Sequence, residues 1–450
     1  MGTTTRTLDR EVVSTRQRRI AELARQAPEM SLTSLNHYID LAWLREAYRH
    51  TRKDGASGVD GQTASEYAQD LEANLGRLLE RAKSGIYRAP PVRRVHIAKD
   101  GGKSRPIGIP TFEDKILQRA VVMLLEPIYE EDFRDCSYGF RPRRSAHQAL
   151  EELWKQTMRG DVKWILEVDI RAFFDTLDRG HLREFVSRRV RDGVVLRLLG
   201  KWLRAGVLEE ASVSYPERGS PQGGVVSPLL ANIYLHYVMD VWFETEVNPR
   251  LRGRAFVVRY ADDLVIGFSD GEDARRVLEV LPKRFGKYGL DLHRQKTRMV
   301  RFAPPAGRPG EEDPPEGPRP ETFDFLGFTH HWGRSRQGRR WVVKRHTAKS
   351  RLRRSIKATA LWCRRNRHAP LAEQHQALSR KLHGHYAYYG ITGNSRSLKQ
   401  YRDAVTRSWR KWLGRRHRRG AIPWDRFQVM LERYTLPPAR AVHSVYYVTR

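Results

Sequence analysis

The chain has 450 residues, 40% of them hydrophobic, which leaves room for two or three globular domains with a sizeable core. Lys and Arg number 83 against 52 Asp and Glu, a formal net charge of +31, so the partner that composition favours is a polyanion, nucleic acid first. The two cysteines, Cys136 and Cys363, form neither a disulfide framework nor a CxxC zinc pattern, and no stretch approaches the roughly 18 apolar residues of a membrane span.

Residues 1–30 contain no apolar signal core and read as a mobile polar tail. Residues 34–52 (SLNHYIDLAWLREAYRHTR) carry apolar residues at helical spacing behind a Ser34 cap. The turn-forming KDGASGVDG follows, then an amphipathic helix over 64–83. RAPPVRRVHIAKDGGKSRPIGIP predicts two extended segments joined at DGGK, and 112–130 predicts another helix. Between 160 and 345 strands and helices alternate: KWILEVDI as a strand, 221–245 as helix, AFVVRY and DLVIGF as a hairpin, 272–288 as helix, and FDFLGF and WVVKR as strands. The Pro/Gly-rich, locally acidic stretch 303–321 reads as an exposed loop. From residue 346 onward the composition shifts to 24 Lys/Arg against 4 Asp/Glu, with three long helical patterns, which marks a separate basic domain.

The chemistry centres on VRYADDLVI, residues 258–266. Asp262 and Asp263 interrupt an apolar run where a tight hairpin tip belongs. An ordinary Asp-rich turn would produce the same string. A third carboxylate, Asp169, ends the strand-like WILEVDI; by itself it reads as a strand-end cap. If the two segments pair as neighbouring strands, the three aspartates converge, and converged carboxylates repel unless a cation neutralises them. Hard oxygen donors suit Mg2+, and two such ions about 3.5–4 Å apart can activate a 3′-hydroxyl and stabilise a leaving pyrophosphate.

VDIRAFFDTLD resembles motif A of reverse transcriptases and YADD their motif C. AKDGGKSRPIGIPTFEDKILQRA (98–120), SYGFRPRRSAHQAL (137–150), GSPQGGVVSPLLANIYLHYVMD (219–240), GLDLHRQKT (289–297) and FDFLGF (323–328) follow in the family's order. The resemblance, from about residue 34 almost to the C-terminus, is to bacterial group II intron reverse transcriptase/maturases. It implies an α+β right-hand polymerase, with fingers and a palm built on a mixed sheet, followed by an all-helical thumb/maturase (X) domain. The implied boundaries are 1–85 for the N-terminal extension and start of the fingers, 86–345 for fingers and palm, and 346–450 for the thumb/maturase domain, with no endonuclease domain.

The resemblance also assigns roles. Asp169, Asp262 and Asp263 match the metal-binding carboxylates, with the Ile170 carbonyl as a further ligand of two Mg2+ ions. Lys99 and Arg105 match the residues that hold the incoming triphosphate, chemistry that an ammonium and a forked guanidinium both suit. Phe174 matches the bulky residue that rejects a 2′-hydroxyl, with core packing as the plainer role for its neighbour Phe173. Gln222 matches the residue that packs on the incoming nucleotide, and Gly223 and Gly224 would let backbone approach the template–primer. Lys296 matches the lysine that protonates leaving pyrophosphate. Phe325, Leu326 and Gly327 match the primer grip. Arg415, Arg416, Arg418 and Arg419 form a run suited to phosphates, while Tyr386, Tyr388 and Tyr389 pack a helical core in preference to stacking on bases. The implied partners are group II intron RNA, an RNA template with a DNA primer, target DNA and dNTPs, in a cytoplasmic ribonucleoprotein particle without a membrane. Two rival readings are an RNA-binding splicing cofactor without polymerase activity and a reverse transcriptase domesticated for defence.

Overall fold

In the computed structural model, residues 2–98, 104–209, 212–215, 223–307, 309, 320–416, 420 and 422–443 are described, and the structural statements below concern these. Lys99, Gln222, Arg418, Arg419 and most of the 303–321 loop lie outside them. The chain divides into two compact units, residues 1–156 with 164–299 and residues 157–163 with 300–450.

The spine of the first unit is the helix Phe112–Asp132, whose Ile116, Leu117, Ala120, Val121, Leu124, Leu125 and Ile128 are all 0% exposed. Thr111 caps its start, its hydroxyl accepting from the Asp114 amide. The expected polar tail is instead a helix, Gly2–Gln26, that lies against this spine. Val13, Ile20 and Ala24 recur at spacings of seven and four, so a sparse apolar stripe is buried under a charged outer face. Gln17 Nε2 donates to the Met123 carbonyl at 3.0 Å, and Arg25 pairs with Glu131. The helix expected over 34–52 starts later, at Leu41–His50, because Asp40 and not Ser34 is the cap: its carboxylate accepts from the Trp43 amide at 2.9 Å. Trp43 is fully buried, and its indole donates to the Ala120 carbonyl at 3.0 Å.

Two sheets complete this unit. In the first, β1 (Val92–Ala98) pairs antiparallel with β2 (Ser104–Ile109). The second is built around β3 (Trp164–Arg171). β4 (Val207–Glu209) and β5 (Ser212–Ser214) close the first sheet in the order β2-β1-β4-β5, with β4 parallel to β1. β6 (Ala255–Tyr260), β7 (Asp263–Phe268) and β8 (Asp291–Leu292) give the second sheet its order β6-β7-β3-β8. β7 is central in that order, and its residues 264–268 are buried throughout, the continuous apolar run of a strand covered on both faces. The helical stretch expected over 221–245 begins at Ser227–Leu235 and passes into a π-helical turn at His236–Asp240.

The chain passes between the units within β9 (Arg298–Arg301). In the second unit β10 (Phe323–Phe325), β11 (Phe328–Arg334) and β12 (Trp341–Thr347) form an antiparallel sheet in that order. Helices Lys349–Arg365, Leu371–Tyr389, Ser395–Gly414 and Trp424–Arg433 follow, around a core of Leu378, Leu382, Leu398, Trp409 and Phe427, each 0% exposed. The three strands belong with these helices because Phe328 packs on Tyr388 and Tyr389, with ring centroids 5.9 and 5.3 Å away. The Tyr388 hydroxyl also donates to the Leu326 carbonyl at 2.9 Å. Tyr386 is buried, in keeping with the core role expected of it.

Candidate active site

Strand pairing is what brings the aspartates together. In the antiparallel register of β3 and β7, Asp169 lies directly opposite Asp263. Residues opposite one another in such a ladder share a face of the sheet, so the two positions stand side by side at one end of it. β6 and β7 pair with Tyr260 opposite Asp263, which leaves Ala261 and Asp262 as a two-residue turn. The hairpin inferred from VRYADDLVI is therefore present, and Asp262 sits at its tip. Asp169 and Asp262 are half-buried and Asp263 is exposed.

Asp169 is stitched to the RQKT segment. Its carbonyl accepts from the His293 amide at 2.8 Å, its amide donates to the Thr297 hydroxyl at 3.3 Å, and its Oδ2 accepts from Lys296 Nζ at 2.9 Å. Two residues earlier on the same strand, Glu167 pairs with Arg298. Ile170 lies opposite Leu292 of β8 with its side chain buried. Among the described residues no three His, Cys, Asp or Glu side chains close into a cage for a metal. The donor set nevertheless fits Mg2+: carboxylate oxygens on adjoining strands supply hard ligands, and Mg2+ completes its shell with waters and substrate phosphates. The ammonium resting on Asp169 marks a position where a cation is already favoured.

Around these carboxylates, β3 ends in a sharp turn at Ala172, whose φ is +46°. That turn starts the short helix Phe173–Thr176. Phe173 is buried against Tyr234, whereas Phe174 meets it edge-on at 5.2 Å and stays half-exposed. The two adjacent phenylalanines thus separate into a core residue and one partly open to solvent. Arg105 is exposed on β2, opposite Ile97. Gly223 has φ +117°, and a Cβ there would lie 2.4 Å from the Gly108 carbonyl oxygen. The close approach its glycine permits is thus to β2 within the protein, which differs from the template contact expected of it.

In the second unit FDFLGF forms the β10–β11 hairpin. Phe325 pairs with Phe328 and is buried, and Leu326 and Gly327 make the turn with φ of +48° and +78°. Positive φ at both central positions is the signature of a type I′ turn. Of the basic run, Arg415 is exposed above Trp412, 5.0 Å from its ring centroid. Arg416 points inward: its guanidinium donates to the carbonyls of Arg367 and Ala369. The sequence reading missed that Arg364 and Lys411 also flank Trp412, at 5.7 and 5.6 Å. Their i, i+4 spacing to Arg415 on one helix was visible for Lys411; Arg364 comes from another helix.

The sheet thus sets one aspartate opposite another at an aspartate-bearing hairpin tip, an arrangement of hard oxygen donors suited to divalent cations. The reverse transcriptase (RNA-dependent DNA polymerase) family matches residues 97–330, just over half of the chain and all of this sheet. The protein belongs to that family. Protein YkfC of Escherichia coli (strain K12) is 36% identical over 330 residues, covering 64% of this chain and 84% of the relative. The group II intron-encoded protein LtrA of Lactococcus lactis subsp. cremoris is 37% identical over 299 residues, 63% of this chain and 49% of the relative, so the chain spans about half the length of that protein. A nuclear intron maturase 2 (mitochondrial) of Arabidopsis thaliana is 30% identical over 181 residues, 31% of this chain and 24% of the relative. Among the described residues no helix is long and apolar enough to cross a membrane.

Proposed function

We propose that the protein is a group II intron reverse transcriptase/maturase, which copies RNA into DNA from a primer 3′ end and binds its intron RNA to promote splicing. The observation that carries the reading is the register that sets Asp169 opposite Asp263, beside the Asp262 turn. In this reading the first unit holds the fingers and palm of a right-hand polymerase, and the basic helices of the second are its thumb and maturase domain. The implied setting is a cytoplasmic ribonucleoprotein particle that acts on a DNA target.

Asp169, Asp262 and Asp263, with the Ile170 carbonyl, would hold two Mg2+ ions. Divalent ions held there supply the charge that activates the primer 3′-hydroxyl and neutralises the leaving pyrophosphate. Arg105 binds the dNTP triphosphate through its forked guanidinium, and Lys99 and Gln222 are assigned to nucleotide binding with it. Phe174 closes the space that a ribose 2′-hydroxyl would need. Lys296, already on Asp169, delivers a proton to the pyrophosphate. The Phe325–Leu326–Gly327 turn guides the primer. Arg415, next to Trp412, whose indole offers a stacking face, meets RNA phosphates, and Arg418 and Arg419 are assigned the same role.

The test is dNTP incorporation on an RNA template with an annealed DNA primer, comparing wild type with Asp262→Asn at matched RNA binding. Mg2+-dependent extension by the wild type that the variant loses is the expected result. A folded, RNA-binding wild type that extends nothing would replace this reading with that of a splicing cofactor.

A further inference from the structure

Arg259 stands immediately before the YADD turn and is 0% exposed. A charge buried that deeply must be paired and fully hydrogen-bonded, or it is very costly. Its guanidinium bonds three separate places. Nε and Nη2 donate to the two carboxylate oxygens of Asp240 in the π-helical turn, the former at 2.8 Å. Nη1 donates to Asn232 Oδ1 at 3.0 Å and to the Ala261 carbonyl at 3.1 Å. Asn232, 1% exposed, passes the connection on by donating from Nδ2 to the Gly139 carbonyl at 2.6 Å. The backbone repeats the link: the Arg259 amide donates to the Cys136 carbonyl, and the Arg259 carbonyl accepts from the Tyr138 amide, both at 2.8 Å.

One side chain therefore ties the catalytic hairpin to the helix after GSPQGG and to the SYGF loop. The turn it holds is strained. Ala261 has φ +56°, a conformation that is costly for a non-glycine residue and persists only where its surroundings enforce it. The SYGF loop closes over that turn so tightly that a Cβ on Gly139 would lie 2.3 Å from the Ala261 nitrogen, which is why glycine stands there.

We infer that Arg259, Asp240 and Asn232 are positioning residues that clamp the Ala261–Asp262 turn and so aim Asp262 and Asp263 at the metal ions. The inference rests on the proposed role of those aspartates as metal ligands. An ion pair kept for stability alone can be exchanged for apolar residues of similar volume at little cost, and catalysis would not notice the exchange. A clamp predicts that the same exchange costs metal affinity.

The decisive variant is Arg259→Met combined with Asp240→Leu, which removes both charges together and leaves neither unpaired. Mn2+ binding to the enzyme–primer–template complex is read by electron paramagnetic resonance, Mg2+ half-saturation by primer extension, and folding by Tm and RNA affinity. The expected result is a folded protein with wild-type RNA affinity whose metal affinity is about 10- to 100-fold weaker, the usual loss when a partner of a metal ligand goes. Arg259→Lys should show the same direction, because one ammonium cannot serve Asp240, Asn232 and Ala261 at once; it decides the matter if the double variant does not fold. A folded variant that binds Mn2+ and responds to Mg2+ like wild type overturns the clamp. Asp262→Asn runs in parallel: if that change leaves Mn2+ binding intact, the metal-ligand reading itself fails, a result separate from failure of the clamp.

Discussion

Lys296 donates to Asp169 Oδ2 at 2.9 Å, joining residues 127 positions apart in sequence. With the His293 and Thr297 contacts to the Asp169 backbone, this makes the RQKT segment and the end of β3 one local structure. The pair is half exposed, with side-chain accessibilities of 55% and 34%, so its own contribution to stability is at most about 1 kcal/mol. Lys296→Ala should therefore leave Tm almost unchanged. It should slow single-turnover dNTP incorporation by roughly 100-fold or more, the scale of a lost general acid. Lys296→Arg restores the charge but not a transferable proton, so it should not recover the rate. Full recovery by arginine would reduce Lys296 to a counter-ion.

Phe174 is expected to set sugar selectivity. Its neighbour Phe173 carries the packing load, buried against Tyr234 at 6.2 Å, which leaves Phe174 partly open to solvent. Phe174→Ala should keep the fold and raise ribonucleotide incorporation relative to dNTPs by roughly 10- to 100-fold, the range open to a steric pocket that gains this much room. Competition assays with dCTP and CTP on one template read that ratio directly. An unchanged ratio with normal folding would remove Phe174 from the nucleotide pocket.

How much of this was legible in the sequence depends on range. The β6–β7 hairpin was readable because strand period, turn and carboxylates all lie within nine residues, and β3 because WILEVDI is rich in apolar and β-branched residues. The pairing of Asp169 with Asp263 could only be posed as a condition, since register between distant strands is a tertiary property. The helix Gly2–Gln26 was missed because its buried stripe is only Val13, Ile20 and Ala24 in a sequence otherwise polar, too sparse to outweigh composition. Asp40 was passed over for Ser34 because both are good caps, and only packing of Trp43 chose between them. The Arg259 clamp left one signal unused: an arginine inside the apolar strand AFVVRY must find a buried partner. Its partners, Asp240 and Asn232, sit 19 and 27 residues away, so no local pattern names them.

The surface around Trp412 should behave as an RNA contact. Arg364, Lys411 and Arg415 surround one indole, a stacking face ringed by cations. Trp412→Ala should weaken binding of single-stranded RNA by about 1–3 kcal/mol, the value of one stacked base. Arg415→Ala should weaken binding to all sequences alike and lower the salt slope of log K by about 1. Arg416→Ala should act differently, because its guanidinium holds the carbonyls of Arg367 and Ala369. It should lower Tm with little change in salt slope. Filter binding at several salt concentrations, alongside thermal melts, separates these roles; a Trp412→Ala protein with wild-type affinity would place the RNA elsewhere.

Asp114 should give the fold a measurable pH dependence. It is 2% exposed, accepting from the Tyr87 hydroxyl, from Trp202 Nε1 at 2.6 Å and from Gln118 Nε2 at 3.0 Å. Burial pushes its carboxyl up to about 6, even though those three donors pull the other way. An unfolded aspartate titrates near 3.9, so between roughly pH 4 and 6 the folded protein holds a proton that the unfolded chain has released. Stability from this group is therefore greatest below pH 4 and is lost as pH rises through about 6. Buried His236 and His385, both pushed down to about 4, act in the opposite sense, losing stability as pH falls below their unfolded value, so the whole-protein profile mixes the two. The difference between wild type and Asp114→Asn isolates the carboxyl. Urea unfolding at steps from pH 4 to 7 should show the wild type losing on the order of 2 kcal/mol relative to the variant as pH rises. A difference that stays flat across that range would mean that Asp114 is ionised throughout and that its three donors outweigh its burial.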